Sequence, residues 1–282
     1  MRSLIVTLFI LSLGICCFAQ KVEVGIMGGG MFYNGDLTEK PLEADIHLAG
    51  GMFLRINMND RVSLKGNVLI GSISGSDIGA KSATRHLRNL SFSSKISEFA
   101  AEVEVNLVDN YKDKDSRTIC VPYLFVGINI FHFNPQANLS DSATGKVILY
   151  ELQPLGTEGQ GLTKYRDLKR YNLNSIAFPL GAGVKFHVGQ YLTLGLEFGM
   201  RKTLTDYLDD VSGYYAENDL ITAQYGPTAG RLADRSREVV PGYENPKNSI
   251  RGNPSNQDWY GFGGVLVSYT FIKKAKIRCS TF

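Results

Sequence analysis

Eight segments of this chain alternate apolar and polar side chains with a period of two. Beyond residue 19 no stretch of about 18 residues stays apolar without a charge. A period of two puts alternate side chains on opposite faces of a strand. In Ala44 to Met58, Ile46, Leu48, Met52, Leu54, Ile56 and Met58 alternate with Asp45, His47, Arg55 and Asn57. In Leu90 to Val108, Phe99, Ala101, Val103, Val105 and Leu107 alternate with Glu98, Glu102, Glu104 and Asn106. Val62 to Ile73 sets Val62, Leu64, Val68 and Ile70 against Ser63, Lys65 and Asn67. The other predicted strands are Val22 to Tyr33, Thr118 to Phe133, Asn174 to Val188, Tyr191 to Met200 and Asp258 to Phe271. Without a helical span, such a chain can cross a membrane only as a closed barrel, where every backbone group is bonded.

The connections sharpen this expectation. Residues 59–61, 109–117 and 189–190 are short; residues 34–43, 74–89, 134–173 and 201–257 are long. Several strands run to 12 residues or more, against about 5–6 in a typical soluble sheet. Short turns on one side and long loops on the other describe an outer-membrane barrel. The expected fold is therefore all-β: an eight-stranded antiparallel transmembrane barrel over residues 20–271, with short periplasmic turns and long extracellular loops. An even strand count places both termini in the periplasm. The 30 glycines, 14 tyrosines and 15 phenylalanines suit a large antiparallel sheet protein. A formal net charge of +3 in 282 residues gives no support to nucleic-acid binding.

The N-terminus reads as a secretory signal over residues 1–19. Arg2 is the basic region, Leu4 to Ile15 the apolar region, and Cys17-Phe18-Ala19 the small-residue cleavage site. Its apolar run is shorter than the ~20 residues of a membrane span. Ile15 and Cys16 fit a lipid-attachment motif poorly. The mature chain then starts at Gln20 and keeps two cysteines, Cys120 and Cys279.

A soluble barrel of the lipocalin kind would turn its apolar face inward around a ligand. Here the polar face carries Arg55, Lys65, Glu98, Glu102, Glu104, Lys185, Glu197 and Arg201. These eight residues are expected to fill the interior as mutually compensating ion pairs, with the apolar face toward lipid. Eight strands leave an interior just wide enough for side chains, so no open pore is expected.

The sequence offers no enzymatic constellation. The histidines His47, His86, His132 and His187 belong to no H-E-x-x-H motif. Asp206, Asp209 and Asp210 lie where aspartates commonly cap turns. Gly28-Gly29-Gly30 precedes no helix pattern, and Asp113-Lys114-Asp115 lacks the rest of a calcium loop. No catalytic residue, metal, cofactor or small-molecule substrate is expected.

Several strings resemble a Bacteroidota outer-membrane barrel family that includes PorG, a component of the type IX secretion system. They are Tyr33-Asn34-Gly35-Asp36, Pro122 to Gly127, Phe178 to Lys185, Glu197 to Arg201, Thr205 to Ser212, Arg251-Gly252 and Asp258-Trp259-Tyr260. The resemblance implies a non-enzymatic part of the secretion machinery, anchoring a periplasmic ring lipoprotein and its partner. It marks Asp206, Tyr207, Asp209 and Asp210 as the family-motif loop. The alternative is a generic surface barrel whose long loops bind an extracellular ligand.

Charge is uneven along the expected barrel axis. Between Thr205 and Asp258, nine acids face five bases, a formal −4. The tail at 272–282 carries Lys273, Lys274, Lys276 and Arg278 with no acid. It suits either lipid phosphates or an acidic periplasmic surface, and the resemblance favours docking. Cys120 and Cys279 fall on the same, disulfide-permissive side. The seven residues between Phe271 and Cys279 reach ~25 Å when extended, enough to cross the mouth of a small barrel.

Overall fold

The computed structural model describes residues 21–38, 45–110, 119–140 and 145–271. The signal segment 1–19, the tail cations Lys273, Lys274, Lys276 and Arg278, and Cys279 all lie outside the described residues. The described residues form nine strands: β1 (Lys21–Asn34), β2 (His47–Asn57), β3 (Val62–Ser76), β4 (Ser91–Asn106), β5 (Cys120–Ser140), β6 (Val147–Glu151), β7 (Asn174–Val188), β8 (Leu192–Thr203) and β9 (Trp259–Phe271). Eight of them pair antiparallel around a ring. β9 returns to β1 from Val22↔Phe271 to Asn34↔Trp259, which closes the sheet. The ninth, β6, is a short addition that pairs with the far end of β5 from Gln136↔Glu151 to Ser140↔Val147.

The walls are turned inside out relative to a soluble barrel. Leu124, Val126, Ile128 and Ile130 of β5 are all exposed, as are Leu194, Leu196 and Phe198 of β8, while Arg55, Lys65 and Glu104 are buried. Lipid is the solvent that suits such a surface. Aromatic residues mark its limits. Tyr191 and Tyr269 stack with centroids 5.7 Å apart near the short turns. Trp259, ten positions before Tyr269 on the same face of β9, sits under Lys202 at 5.6 Å. Ten residues of a strand tilted by about 40° rise about 25 Å, the height of a lipid-facing band.

Above that band the alternation reverses phase. On β4 the outward positions pass from Val105, Val103, Ala101 and Phe99 to Ser97, Lys95 and Ser93, while the inward ones pass from Glu104, Glu102 and Glu98 to Ile96, Ser94 and Phe92. The wall becomes wet and the lumen becomes oily. This reversal corrects the predicted strand ends. β5 runs seven residues past Phe133, to Ser140, because Phe133, Pro135, Ala137 and Leu139 still point inward while Asn134, Gln136 and Asn138 point out. β3 and β8 likewise extend three residues past Ile73 and Met200. β7 occupies the predicted Asn174–Val188.

The short turns at 58–61 and 189–191 share one end with the start of β1 and the finish of β9. At the other end the long connections are built. Residues 77–90 hold helix α1 (Ala83–Arg88), and 204–258 hold α2 (Asn218–Tyr225) and α3 (Pro227–Ala233). Apolar side chains of these loops, including Leu208, Val211 and Leu232, join the oily upper lumen in one core with Met31, Ile73 and Phe131.

Candidate functional site: the filled lumen and its cap

Strand register brings the eight sequence-singled charges to the lower lumen. Arg55, Lys65 and Glu102 stand opposite one another on β2, β3 and β4. Arg55 forks onto Glu104, Nε to Oε2 at 2.8 Å and Nη2 to Oε1 at 2.9 Å, and donates from Nη1 to Glu23 at 3.0 Å. Lys65 donates to Glu197 at 2.6 Å and lies 2.8 Å from Glu102, out of line for a hydrogen bond but close as an ion pair. Lys185 donates to Glu104 Oε2 at 2.6 Å and to Asn106 at 2.9 Å. Arg201 donates to Glu98 at 3.2 Å. Aromatic faces complete the packing: Phe53 lies 4.9 Å from Arg55, Phe125 4.9 Å from Lys65, and Tyr123 4.4 Å from Lys185.

Charges taken out of water are tolerated only when paired and bonded. Each of Glu23, Glu98, Glu102, Glu104 and Glu197 meets a cation. Further residues join this network beyond the eight charges expected from sequence, among them Glu23, Tyr123 and Tyr260. Glu23 holds Arg55, Tyr123 donates to Glu197 at 2.7 Å, and Tyr260 donates to Glu98 at 2.6 Å. Glu23 was visible in principle, since it alternates with the outward Val22 and Val24. The tyrosines were not, because on an alternating strand an aromatic ring fits either face. With these three, every strand of the ring contributes to the network, which fills the bore.

The motif loop lies at the other end, above the membrane band. Asp209 and Asp258 both approach the Tyr33 hydroxyl, at 2.6 and 2.8 Å. Asp210 adopts a left-handed φ of 65°, a conformation that Asp tolerates better than most residues. Its carboxylate accepts from Thr157 at 2.5 Å and from Tyr171 at 2.7 Å. Buried Arg251 donates to the Asp210 carbonyl at 2.5 Å and to Glu158 Oε1 at 3.0 Å. Glu158 also accepts the Ser212 and Gly213 amides, at 2.9 and 3.0 Å. The rings of Tyr171 and Tyr207 stack at 4.6 Å. At Gly252 a methyl group would lie 2.5 Å from Asp36 and 2.8 Å from the Ser212 amide, so only glycine lets the strands of the cap approach. Burial pushes the Asp210 carboxyl up to about 6, against the pull of Arg251, and pushes Asp206 up to about 7.

Arg55, Lys65, Glu98, Glu102, Glu104, Lys185, Glu197 and Arg201 thus share one compartment, and Asp206, Tyr207, Asp209 and Asp210 another. Cys120 is exposed at the short-turn end; its pairing with Cys279 lies outside the described residues. Among the described residues no histidine bonds to the cap carboxylates, and no group of His, Cys, Asp and Glu is placed to hold a metal ion.

No curated protein matches the chain in sequence. Several solved structures resemble it at low identity. Ail, the attachment invasion locus protein of Yersinia pestis, in complex with the heparin analogue sucrose octasulfate, is 9% identical with a TM-score of 0.39, over 90% of this chain and 100% of Ail. Neisserial surface protein A is 9% identical with a TM-score of 0.39, over 90% of this chain and 98% of that one. A major outer membrane protein from Thermus thermophilus is 11% identical with a TM-score of 0.39, over 90% and 100%. Residues 2–147 match a family model described as a domain of unknown function, DUF6089, over more than half of the sequence. The chain belongs to the DUF6089 family.

Proposed function

We propose that this protein is a non-enzymatic outer-membrane barrel of the type IX secretion machinery that anchors periplasmic ring components. The observation supporting this reading is where the strings of the family resemblance meet. Tyr33 of the first string bonds Asp209 of the Thr205–Ser212 string and Asp258 of the last. Arg251 bonds Asp210, and Gly252 sits against Asp36 and Ser212. Residues far apart in sequence form one bonded cap, as expected of a shared structural signature rather than of chance barrel alternation. A bore filled by ion pairs suits an anchor better than a conduit.

In this reading the short-turn end and both termini face the periplasm. The tail with Lys273, Lys274, Lys276 and Arg278 offers four cations to an acidic partner surface, and a Cys120–Cys279 bond would pin it across the opening. Deleting the gene should abolish or strongly reduce export of secretion cargo, with rescue by the intact gene. Undiminished export in the deletion strain overturns the assignment. Alanine at all four tail cations should release the ring lipoprotein from co-purification while leaving barrel insertion unchanged.

A second reading, a surface barrel that binds an extracellular ligand, draws on a cavity of about 580 Å³ in the long-loop end. Arg85, Arg88, Tyr215 and Tyr243 line it. Normal export together with loss of surface binding in the deletion strain would favour it.

A further inference from the structure

Tyr33, at the end of β1, touches both ends of the connection between β8 and β9. Its hydroxyl lies 2.6 Å from Asp209 Oδ2 and 2.8 Å from Asp258 Oδ1. All three side chains are buried. A tyrosine hydroxyl has one proton and so donates one hydrogen bond. It satisfies one carboxylate; the second short oxygen–oxygen contact needs a proton of its own, and a carboxylic acid supplies it by donating to the tyrosine oxygen. The remaining oxygens already have donors. Asp209 Oδ1 accepts the Val211 amide at 2.9 Å, and Asp258 Oδ2 accepts the Leu208 amide at 3.0 Å.

The surroundings favour keeping that proton. Asp36 beyond β1 and Asp206 on the same loop add negative charge. The facing cation is Arg88 of α1. Its guanidinium is committed to Asp77 at 2.7 and 2.8 Å and to the Arg251 and Asp36 carbonyls at 2.5 and 2.8 Å. Among the described residues neither Asp209 nor Asp258 forms an ion pair. Burial above all, and then neighbouring carboxylates, hold both well above the ordinary carboxylate range. The site has no slack: a methyl group on Gly35 would lie 2.0 Å from both Asp258 Oδ1 and the Tyr33 hydroxyl.

We propose that Tyr33, Asp209 and Asp258 form a proton-dependent latch, which fastens the 204–258 loop over the barrel mouth while one carboxyl is protonated and releases it when that proton passes to solvent. With both carboxylates ionised, two like charges share one hydroxyl in a buried site, and repulsion drives them apart. The sign follows from linkage. The closed form binds a proton that the open form gives up, so closure weakens as pH rises through the closed-form titration. Opening would uncover the apolar upper lumen around Phe131 and Phe262.

Hydrogen exchange in lipid nanodiscs tests the latch through the Leu208 and Val211 amides, after correction for intrinsic exchange. Asp209→Asn and Asp258→Asn each replace a carboxylic acid by an amide that can donate to the tyrosine oxygen at any pH. At pH 5 both variants should match the natural chain. At pH 9 the natural chain should lose at least about ten-fold protection at these amides, while the variants retain it. Heat-modifiable migration of every protein confirms an intact barrel. Unchanged protection of the natural chain between pH 5 and 9 overturns the latch, and so does equal loss in the chain and both variants.

Discussion

The lower lumen and the long-loop cap both bury carboxylates, but only the cap buries some of them without a close cationic partner. In the lumen each of the five glutamates meets Arg or Lys: the Arg55 guanidinium bridges Glu23 and both oxygens of Glu104, and Lys185 shares Glu104. In the cap, Glu158 and Asp77 also pair with Arg251 and Arg88, but Asp209 and Asp258 meet a tyrosine hydroxyl and backbone amides, and Asp210 meets Thr157 and Tyr171, with Arg251 reaching its carboxylate only at 3.7 Å. The difference follows from surroundings. A bore encircled by lipid has little water to screen an unpaired charge, so full ion pairs are required. The cap borders solvent and can hold protons instead, which makes it the responsive half of the molecule.

The comparison breaks most sharply at Arg55. Arg55→Ala removes the guanidinium that stands between Glu23 and Glu104, leaving Glu104 to Lys185 and Glu23 without its ion pair to Arg55, and should destabilise the barrel by about 3–5 kcal/mol. Urea unfolding in lipid vesicles checks this, and a midpoint near that of the natural chain would mean that the pairs contribute little. Arg251→Ala should cost less, about 2–3 kcal/mol, and locally. It frees Glu158 and the Asp210 carbonyl, so protease cleavage within 204–258 should accelerate while the urea midpoint of the strands barely moves. Equal effects on cap and barrel would erase the distinction between the regions.

The smallest effect concerns Asp206, a half-buried residue whose two carboxylate oxygens are shielded from solvent. Burial raises its carboxyl to about 7 in the folded chain, against about 3.9 when unfolded. The folded form therefore binds more protons across that window, and cap stability falls as pH rises through it and levels off above about 7. Asp206→Asn should remove this part of the slope in the pH dependence of loop proteolysis, giving a slower-cleaved cap at pH 8. An unaltered slope would show that Asp206 stays exposed enough to ionise freely.

The lumen was far more legible in the sequence than the cap. Residues such as Lys65, Glu102 and Glu197 stand at alternate positions between lipid-facing aliphatics, and lipid imposes that contrast on every strand. The rule fails where the lipid ends. At Phe133 to Leu139 the inward face turns apolar and the outward face polar, so a strand read by apolar-out alternation stops too early. The cap has no period at all. Its contacts join Tyr33 to Asp209 and Asp258, and Arg251 to Glu158, across separations set by ring closure and loop folding. In the Thr205–Ser212 string, Asp206, Asp209 and Asp210 read by themselves as turn caps, and only the family resemblance marks the string as a unit. Helices α2 and α3, eight and seven residues long, left too short a pattern to separate from turns.

The bore is closed by its own ion pairs. Single-channel recording of the purified protein in planar bilayers tests this directly. A bore plugged by these pairs leaves the membrane silent at neutral pH. Stable, large unitary conductance from the natural chain would contradict this closure.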